Sequence, residues 1–247
     1  MAKISLDSIR EELEQDGWKV ISDTYTNLET EMRFECPEGH AVFVPWKKLR
    51  AKRICPTCEA NVYKTEAATS KIVPKKKNVF RVLALDQATH ITGFSIFDDK
   101  ELIKYGTYQT QLPDTIARSN AVKVWLVNML HNWQPDLVAL ENIQLQNESE
   151  GKRMMGVDVF QQLAWLQGIL IECCFELGIA YTLCHTGVWR QECGVKGRTR
   201  SDRKSSMRLL AKQWYDVSVS EDEADAIGIG TYAVRQCAPN RKMISWE

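Results

Sequence analysis

Beginning at Val79, the sequence VFRVLALDQATHITGFSIF sets Val82, Leu83, Ala84 and Leu85 side by side with no polar position among them, and the run closes on Asp86. A short apolar run without alternation predicts a strand covered on both faces, in the middle of a sheet. A carboxylate at its end is costly to bury as a bare anion and calls for a proton, a cation or open water beside it. After a polar turn a second strand is entered through Gly93. Thr92 to Phe97 and Glu101 to Thr110, separated only by DDK, continue the pattern, and three strands so closely spaced predict an antiparallel meander. TIARSNAVKVWLVNMLHNW then places Ala121, Val124, Trp125, Val127 and Leu130 along the inward stripe of a helix. PDLVALE is a second fully apolar strand, and it too ends on a carboxylate, Glu141. A helical crossover between the two strands predicts that they pair in parallel, which brings Asp86 and Glu141 out at one edge of the sheet.

The segment NIQLQNESEGKRMMG that follows has no strong pattern, a long helix is expected from about Val157 to Leu177, and IAYTLCH reads as another strand. Beyond it Lys196, Arg198, Arg200, Arg203 and Lys204 fall within nine positions. Gly194 and Gly197 make this stretch a flexible basic loop entering a helix at about Ser201, either a phosphate-contacting element or a surface segment. The last helix opens on SEDEADAIGIGTYAV. Ser220 with Glu223 is a capping box and Glu221 suits the helix dipole. Asp222 and Asp225 share a face, and Asp225 lies deeper than capping requires. Ala226, Gly228 and Gly230 permit close approach to the sheet.

Ahead of the main pattern, Leu6, Ile9, Leu13 and Trp18 fall near helical spacing, for a helix ending around Gly17 and followed by a strand pair. Cys36 and His40 sit on one tight turn and Cys55 and Cys58 on a CPTC knuckle, four soft donors suited to tetrahedral zinc. This arrangement resembles the treble-clef zinc modules attached to many DNA-acting proteins. Between the two pairs Lys47, Lys48, Arg50, Lys52 and Arg53 surround Trp46, either a phosphate-contacting face or a solvated helix that keeps a small module soluble. TEAATSKIVPKKK is small, polar and basic, as a linker would be. The expected organisation is a zinc-binding module over 1–65, a linker over 66–78 and an α/β domain over 79–247.

Formal net charge is zero over 247 residues, so any basic surface has to be local. No N-terminal apolar run reaches signal-peptide or membrane-span length, and a soluble, cytoplasmic protein is expected. Of eight cysteines, Cys173, Cys174, Cys184, Cys193 and Cys237 are scattered through apolar or mixed contexts, unlike a disulfide framework, and read as reduced thiols.

Asp86, Glu141, Asp222 and Asp225 would repel one another unless cations held them together. An oxygen-only set with open positions suits Mg²⁺ or Mn²⁺, and two such ions support in-line attack of water on a phosphodiester. LALDQATHITGFSIF, LVALENI and DEADAIGIG, in this order over roughly 150 residues, resemble the motifs of RuvC-type Holliday junction resolvases. That resemblance implies an RNase H-like mixed sheet flanked by helices, two Mg²⁺ or Mn²⁺ ions held by Asp86, Glu141, Asp222 and Asp225, and a lysine near the scissile phosphate at Lys204. It further implies a homodimer that nicks branched DNA symmetrically and leaves 5′-phosphate and 3′-hydroxyl ends, in a bacterial cell or a phage-infected host. Two features depart from the family. A leading zinc module is absent from bacterial RuvC proteins and points to a bacteriophage-type variant, and Asn142, Ile143 and Gln144 stand where the family carries an aromatic wedge. The second favours a broader appetite for flaps and forks. Other classes share parts of the pattern: an actin-like ATPase, which needs a second repeat of the fold and a Gly-rich adenosine site, a catalytically silent DNA-binding protein, and terminase- or transposase-like nucleases. Trp189 and Arg190 read either as DNA contacts or as a buried pair.

Overall fold

The computed structural model describes residues 4–58, 72–144 and 156–237. The first part of the expected linker, 66–71, and most of the patternless segment after Glu141 lie outside the described residues. The described residues 4–58 belong to one compact unit and those from 72 onward, apart from 112–117, to another.

In the first unit α1 (Leu6–Glu14) starts on Ser5, whose hydroxyl accepts from the Ser8 backbone N–H in a capping box. The helix ends at Glu14, short of Gly17, because Gly17 turns the chain at φ 72° and Trp18 N–H bonds back to the Leu13 carbonyl. The expected strand pair is a three-stranded antiparallel sheet of β1 (Lys19–Val20), β2 (Glu31–Glu35) and β3 (Ala41–Pro45). Along β2 and β3, Met32, Phe34, Val42 and Val44 alternate inward. They close a core with Ile9, Leu13 and Trp18, and with Trp46 and Leu49 from α2 (Trp46–Ala51).

The second unit is built on a five-stranded mixed sheet. Its strands are β4 (Arg81–Asp86), β5 (Ile91–Asp98), β6 (Glu101–Gln109), β7 (Leu137–Asn142) and β8 (Ala180–His185), in the order β6-β5-β4-β7-β8. β4 is central, as its apolar run predicts, and Val82 to Leu85 are fully buried. The meander is antiparallel, whereas β7 lies parallel to β4 with Leu85 opposite Leu140, and β8 lies parallel to β7. Successive side chains on a strand face opposite ways, so each face receives half of the run. Leu83, Leu85, Val138 and Leu140 pack with side chains of α3 (Thr115–Trp133) and α4 (Val157–Glu176). Val82, Ala84 and Ala139 pack with α5 (Thr186–Glu192), α6 (Arg200–Tyr215) and α7 (Glu221–Cys237).

Arg81 fastens the chain that enters this sheet. Its guanidinium donates to both carboxylate oxygens of Asp98, at 2.6 and 2.8 Å, and to the Val73 and Trp133 carbonyls. A charge this deep persists only when every donor is engaged, and breaking such a pair costs about 3–5 kcal/mol. Lys75 bonds Asp136 at 2.6 Å, so the residues just before β4 are tied to the second unit.

Candidate active site

The register that runs Leu85 opposite Leu140 carries Asp86 and Glu141 out together at the carboxyl ends of two neighbouring parallel strands. Asp86 also pairs with Gly93 on β5. A Cβ on Gly93 would run into the Asp222 backbone carbonyl at the start of α7, so the absence of a side chain there sets how closely that helix meets the sheet. Ser220 and Glu223 form the expected capping box, with Ser220 N–H donating to Glu223 at 2.7 Å. Farther along α7, Ser95 Oγ donates to the Ala226 carbonyl at 2.7 Å, and a Cβ on Gly230 would strike Phe97. Gly93→Ala is therefore expected to push the start of α7 outward and to destabilise the second unit by about 1–3 kcal/mol, as overpacking does. Melting followed by circular dichroism checks it, and an unchanged transition would contradict the packing argument.

Asp86 feels the other three carboxylates. Burial, then Glu141, Asp225 and Asp222, push the Asp86 carboxyl well above the usual carboxylate range, against the opposing pull of Lys204. Asp225 is almost wholly buried, and its Oδ2 accepts from Lys204 Nζ at 2.8 Å and from Arg190 Nη2 at 3.2 Å. Lys204 Nζ also lies 3.9 Å from Asp222 Oδ1. Burial alone would lower the Lys204 pKa, but Asp225, Asp86 and Asp222 outweigh it and raise it, so the ammonium is retained. The donor chemistry fits a hard divalent cation, being carboxylate oxygen throughout, with Asp86 left to hold a proton where it lacks positive charge of its own.

Three residues outside the sequence-predicted set hold this cluster. Gln87 Oε1 accepts from the Glu141 backbone N–H at 3.1 Å, and Gln87 Nε2 donates to the Glu141 carbonyl, stitching the two strand ends together. The fully buried Trp189 donates its indole N–H to Glu141 Oε1 at 3.0 Å, so this ring is a support for the acid and not a surface for stacking bases. Arg190 lies 5.0 Å over the Trp189 ring while it holds Asp225. The signal available in the sequence was a polar residue directly after a strand-end acid, and an aromatic beside an arginine just after β8.

In the first unit, Cys36, His40, Cys55 and Cys58 bring their donor atoms within 4.8 Å of one another; they are the one such group of three or more metal-ligating side chains among the described residues. Cys36 Sγ is 3.6 Å from Cys58 Sγ, and His40 Nδ1 is 3.2 Å from Cys58 Sγ and 3.8 Å from Cys55 Sγ. Ligands about 2.0–2.3 Å from a tetrahedral zinc stand roughly 3.3–3.8 Å apart, so the cluster has the size of a zinc site. Burial pushes the Cys36 thiol up, but backbone N–H groups and the neighbouring thiols outweigh it and bring it down to about 7. Cys58, half-buried beside the other two sulfurs, is pushed up to about 12 by desolvation and by those sulfurs.

The two basic stretches differ from their sequence description. Lys47 pairs with Glu29 at 2.7 Å, Arg50 with Glu12 at 3.4 Å, and Arg53 with Glu12 and Asp16 at 2.8 and 3.2 Å. Lys48 and Lys52 are exposed with no ion-pair partner among the described residues. The second stretch is a shaped turn, with Gly194 and Gly197 at φ 72° and 130°. It leads into a Thr199–Asp202 capping box that starts α6 at Arg200. Lys196, Arg198 and Arg200 are exposed there, and Arg203 Nη1 donates to the Arg198 carbonyl.

Solved structures share this architecture. Thermus thermophilus RuvC in complex with a Holliday junction substrate superposes with a TM-score of 0.50 at 15% identity, covering 63% of this chain and 94% of that one. A second Thermus thermophilus RuvC structure gives 0.49 at 16% identity, with 63% and 95% covered. The yeast mitochondrial Holliday junction resolvase Ydc2 gives 0.43 at 14% identity, with 71% and 84% covered. No protein-family model matches the sequence, and a search of curated proteins finds no match. The chain thus carries the RuvC-type, RNase H-like fold. No described helix is long and apolar enough to cross a membrane.

Proposed function

We propose that this chain is a metal-dependent, structure-selective DNA endonuclease that resolves Holliday junctions and other branched DNA. The observation that carries the reading is the placement of Glu141, Asp222 and Asp225 around the buried Asp86 carboxyl, at the carboxyl ends of β4 and β7 and the start of α7, on a RuvC-type fold. These four acids hold the divalent ions. Mg²⁺ or Mn²⁺ held there would supply activation of a water and charge neutralisation at the leaving 3′ oxygen of a phosphodiester, the chemistry that leaves 5′-phosphate and 3′-hydroxyl ends. Gln87 and Trp189 fix the position of Glu141. Lys204, protonated between Asp222 and Asp225, offers its ammonium to the scissile phosphate.

In this reading residues 1–65 form a structural zinc module on Cys36, His40, Cys55 and Cys58, residues 66–78 a linker and residues 79–247 the nuclease domain. Lys48, Lys52, Lys196, Arg198, Arg200 and Arg203 contact DNA phosphates, with Lys47, Arg50 and Arg53 available to do so if they exchange their carboxylate partners. The enzyme works as a homodimer in the cytoplasm of a bacterial cell or a phage-infected host. Support for the dimer is the RuvC resemblance, together with Val159, Trp165 and Phe175, which α4 leaves exposed. A second reading, a debranching nuclease with little junction preference, is favoured by Asn142, Ile143 and Gln144 after Glu141, where no aromatic is present to wedge a junction open. Cleavage of linear, flap, fork and four-way substrates with Mg²⁺ or Mn²⁺ tests both. Preference for the four-way substrate supports resolution, equal cleavage of all branched forms supports debranching, and no metal-dependent cleavage of any of them rejects the nuclease.

A further inference from the structure

Beside the acid cluster, a cavity of about 440 Å³ opens where α5 meets the turn that follows it. Three of its eight lining residues are cationic, Arg190, Lys196 and Arg203, and none is acidic. Arg190 has Asp225 as a counter-charge, and Lys196 and Arg203 add positive potential to the same concavity, which favours an anion there. Neither Lys196 nor Arg203 forms an ion pair among the described residues, and Arg190 commits one amino group to Asp225 while the rest of its fork stays available. The remaining wall includes Gly187 and Gly194, which let a sugar–phosphate backbone approach closely. A lone phosphate would leave most of this volume unfilled, whereas one nucleotide unit suits it.

We propose that this cavity is a second phosphate site, which holds a backbone phosphate of the strand being cut next to the scissile one, with Arg190 shared between that phosphate and Asp225. The inference rests on the nuclease reading and adds a positioning role to Arg190. A strand seated there has its reacting linkage aligned by contacts to backbone alone, so the site contributes register without base preference.

The test uses the full, zinc-loaded chain carrying Asp86→Asn, without added Mg²⁺ or Mn²⁺. Its affinity is measured for four-way junctions in which single linkages around the cut are replaced by uncharged methylphosphonate. A neutral linkage beside the scissile one is expected to weaken binding about tenfold, as loss of one charge-assisted contact does. Arg203→Ala is expected to cause a similar loss, and so is Gly187→Glu. A Cβ at Gly187 meets no neighbouring atom, and glutamate is a better helix former than glycine, so that variant keeps its fold. In either variant the same neutral linkage should cost nothing further. A full additional loss in both, or no sensitive linkage beside the cut, overturns the cavity assignment while leaving the nuclease reading in place. If the parent chain does not bind the junction at all, the nuclease reading falls and the cavity assignment with it.

Discussion

Asp86→Asn is expected to lower four-way-junction cleavage on the order of 10³-fold or more, about 4 kcal/mol of transition-state stabilisation at 1.36 kcal/mol per factor of ten. DNA binding should persist, since the phosphate contacts lie on other side chains. The same change is expected to raise the thermal stability of the metal-free chain near neutral pH. Burial and three neighbouring acids raise the Asp86 pKa in the fold, so the folded chain keeps this proton to higher pH than the unfolded chain, whose value is near 3.8. Stability from this group is therefore complete below 3.8 and is lost as pH rises through the raised folded value, because over that window the folded state binds more protons. Asparagine has no charge to develop and escapes the loss. Cleavage rates beside melting curves at several pH values check both effects. An Asn variant that cleaves normally, or that melts below wild type at neutral pH, contradicts the placement of Asp86 among repelling acids.

The second large effect belongs to the Cys/His cluster of the first unit, proposed above as a zinc site. Cys55→Ser with Cys58→Ser is expected to abolish zinc binding and unfold the first unit, while the second unit, with its own core, keeps its melting transition. Structural zinc contributes about 10–16 kcal/mol of apparent binding free energy in small modules at neutral pH, as much as the whole stability of a typical domain. Zinc must displace the proton that Cys58 holds up to about 12, so retention weakens as the solution is acidified. Elemental analysis and near-ultraviolet dichroism, sensitive to the buried Trp18 and Trp46, report the outcome. A first unit that melts unchanged without zinc would show that Ile9, Leu13, Phe34 and their neighbours suffice alone.

The sheet was legible because its signals are local. Val82 to Leu85 announce a central strand without any partner being known, and a Cys/His spacing of two short turns announces that the four side chains converge. Asp86, Glu141 and the α7 acids were legible as strand-end and helix-face residues, and the parallel crossover was enough to place the first two together. Gln87, Trp189 and Arg190 were not, because each acts on a group 54, 48 or 35 residues away, and no periodicity encodes such a contact. The ion pairs of the basic run after Trp46 were hidden for the same reason. Glu12, Asp16 and Glu29, which engage three of its cations, belong to segments well before it in the chain. Trp189 shows the ambiguity most clearly, since an indole can stack on a base or lie buried beneath a carboxylate, and only its neighbours decide.

The claim on which the functional proposal depends is that four acids from three elements, β4, β7 and α7, act together on divalent ions. Binding of Mn²⁺ to the zinc-loaded chain, followed by electron paramagnetic resonance as free Mn²⁺ disappears, tests it without requiring turnover. Wild type should bind Mn²⁺, and Asp86→Asn, Glu141→Gln and Asp225→Asn should each weaken that binding by at least about tenfold, as loss of one ligand or its support does. Mn²⁺ binding that all three variants leave unchanged would contradict the claim.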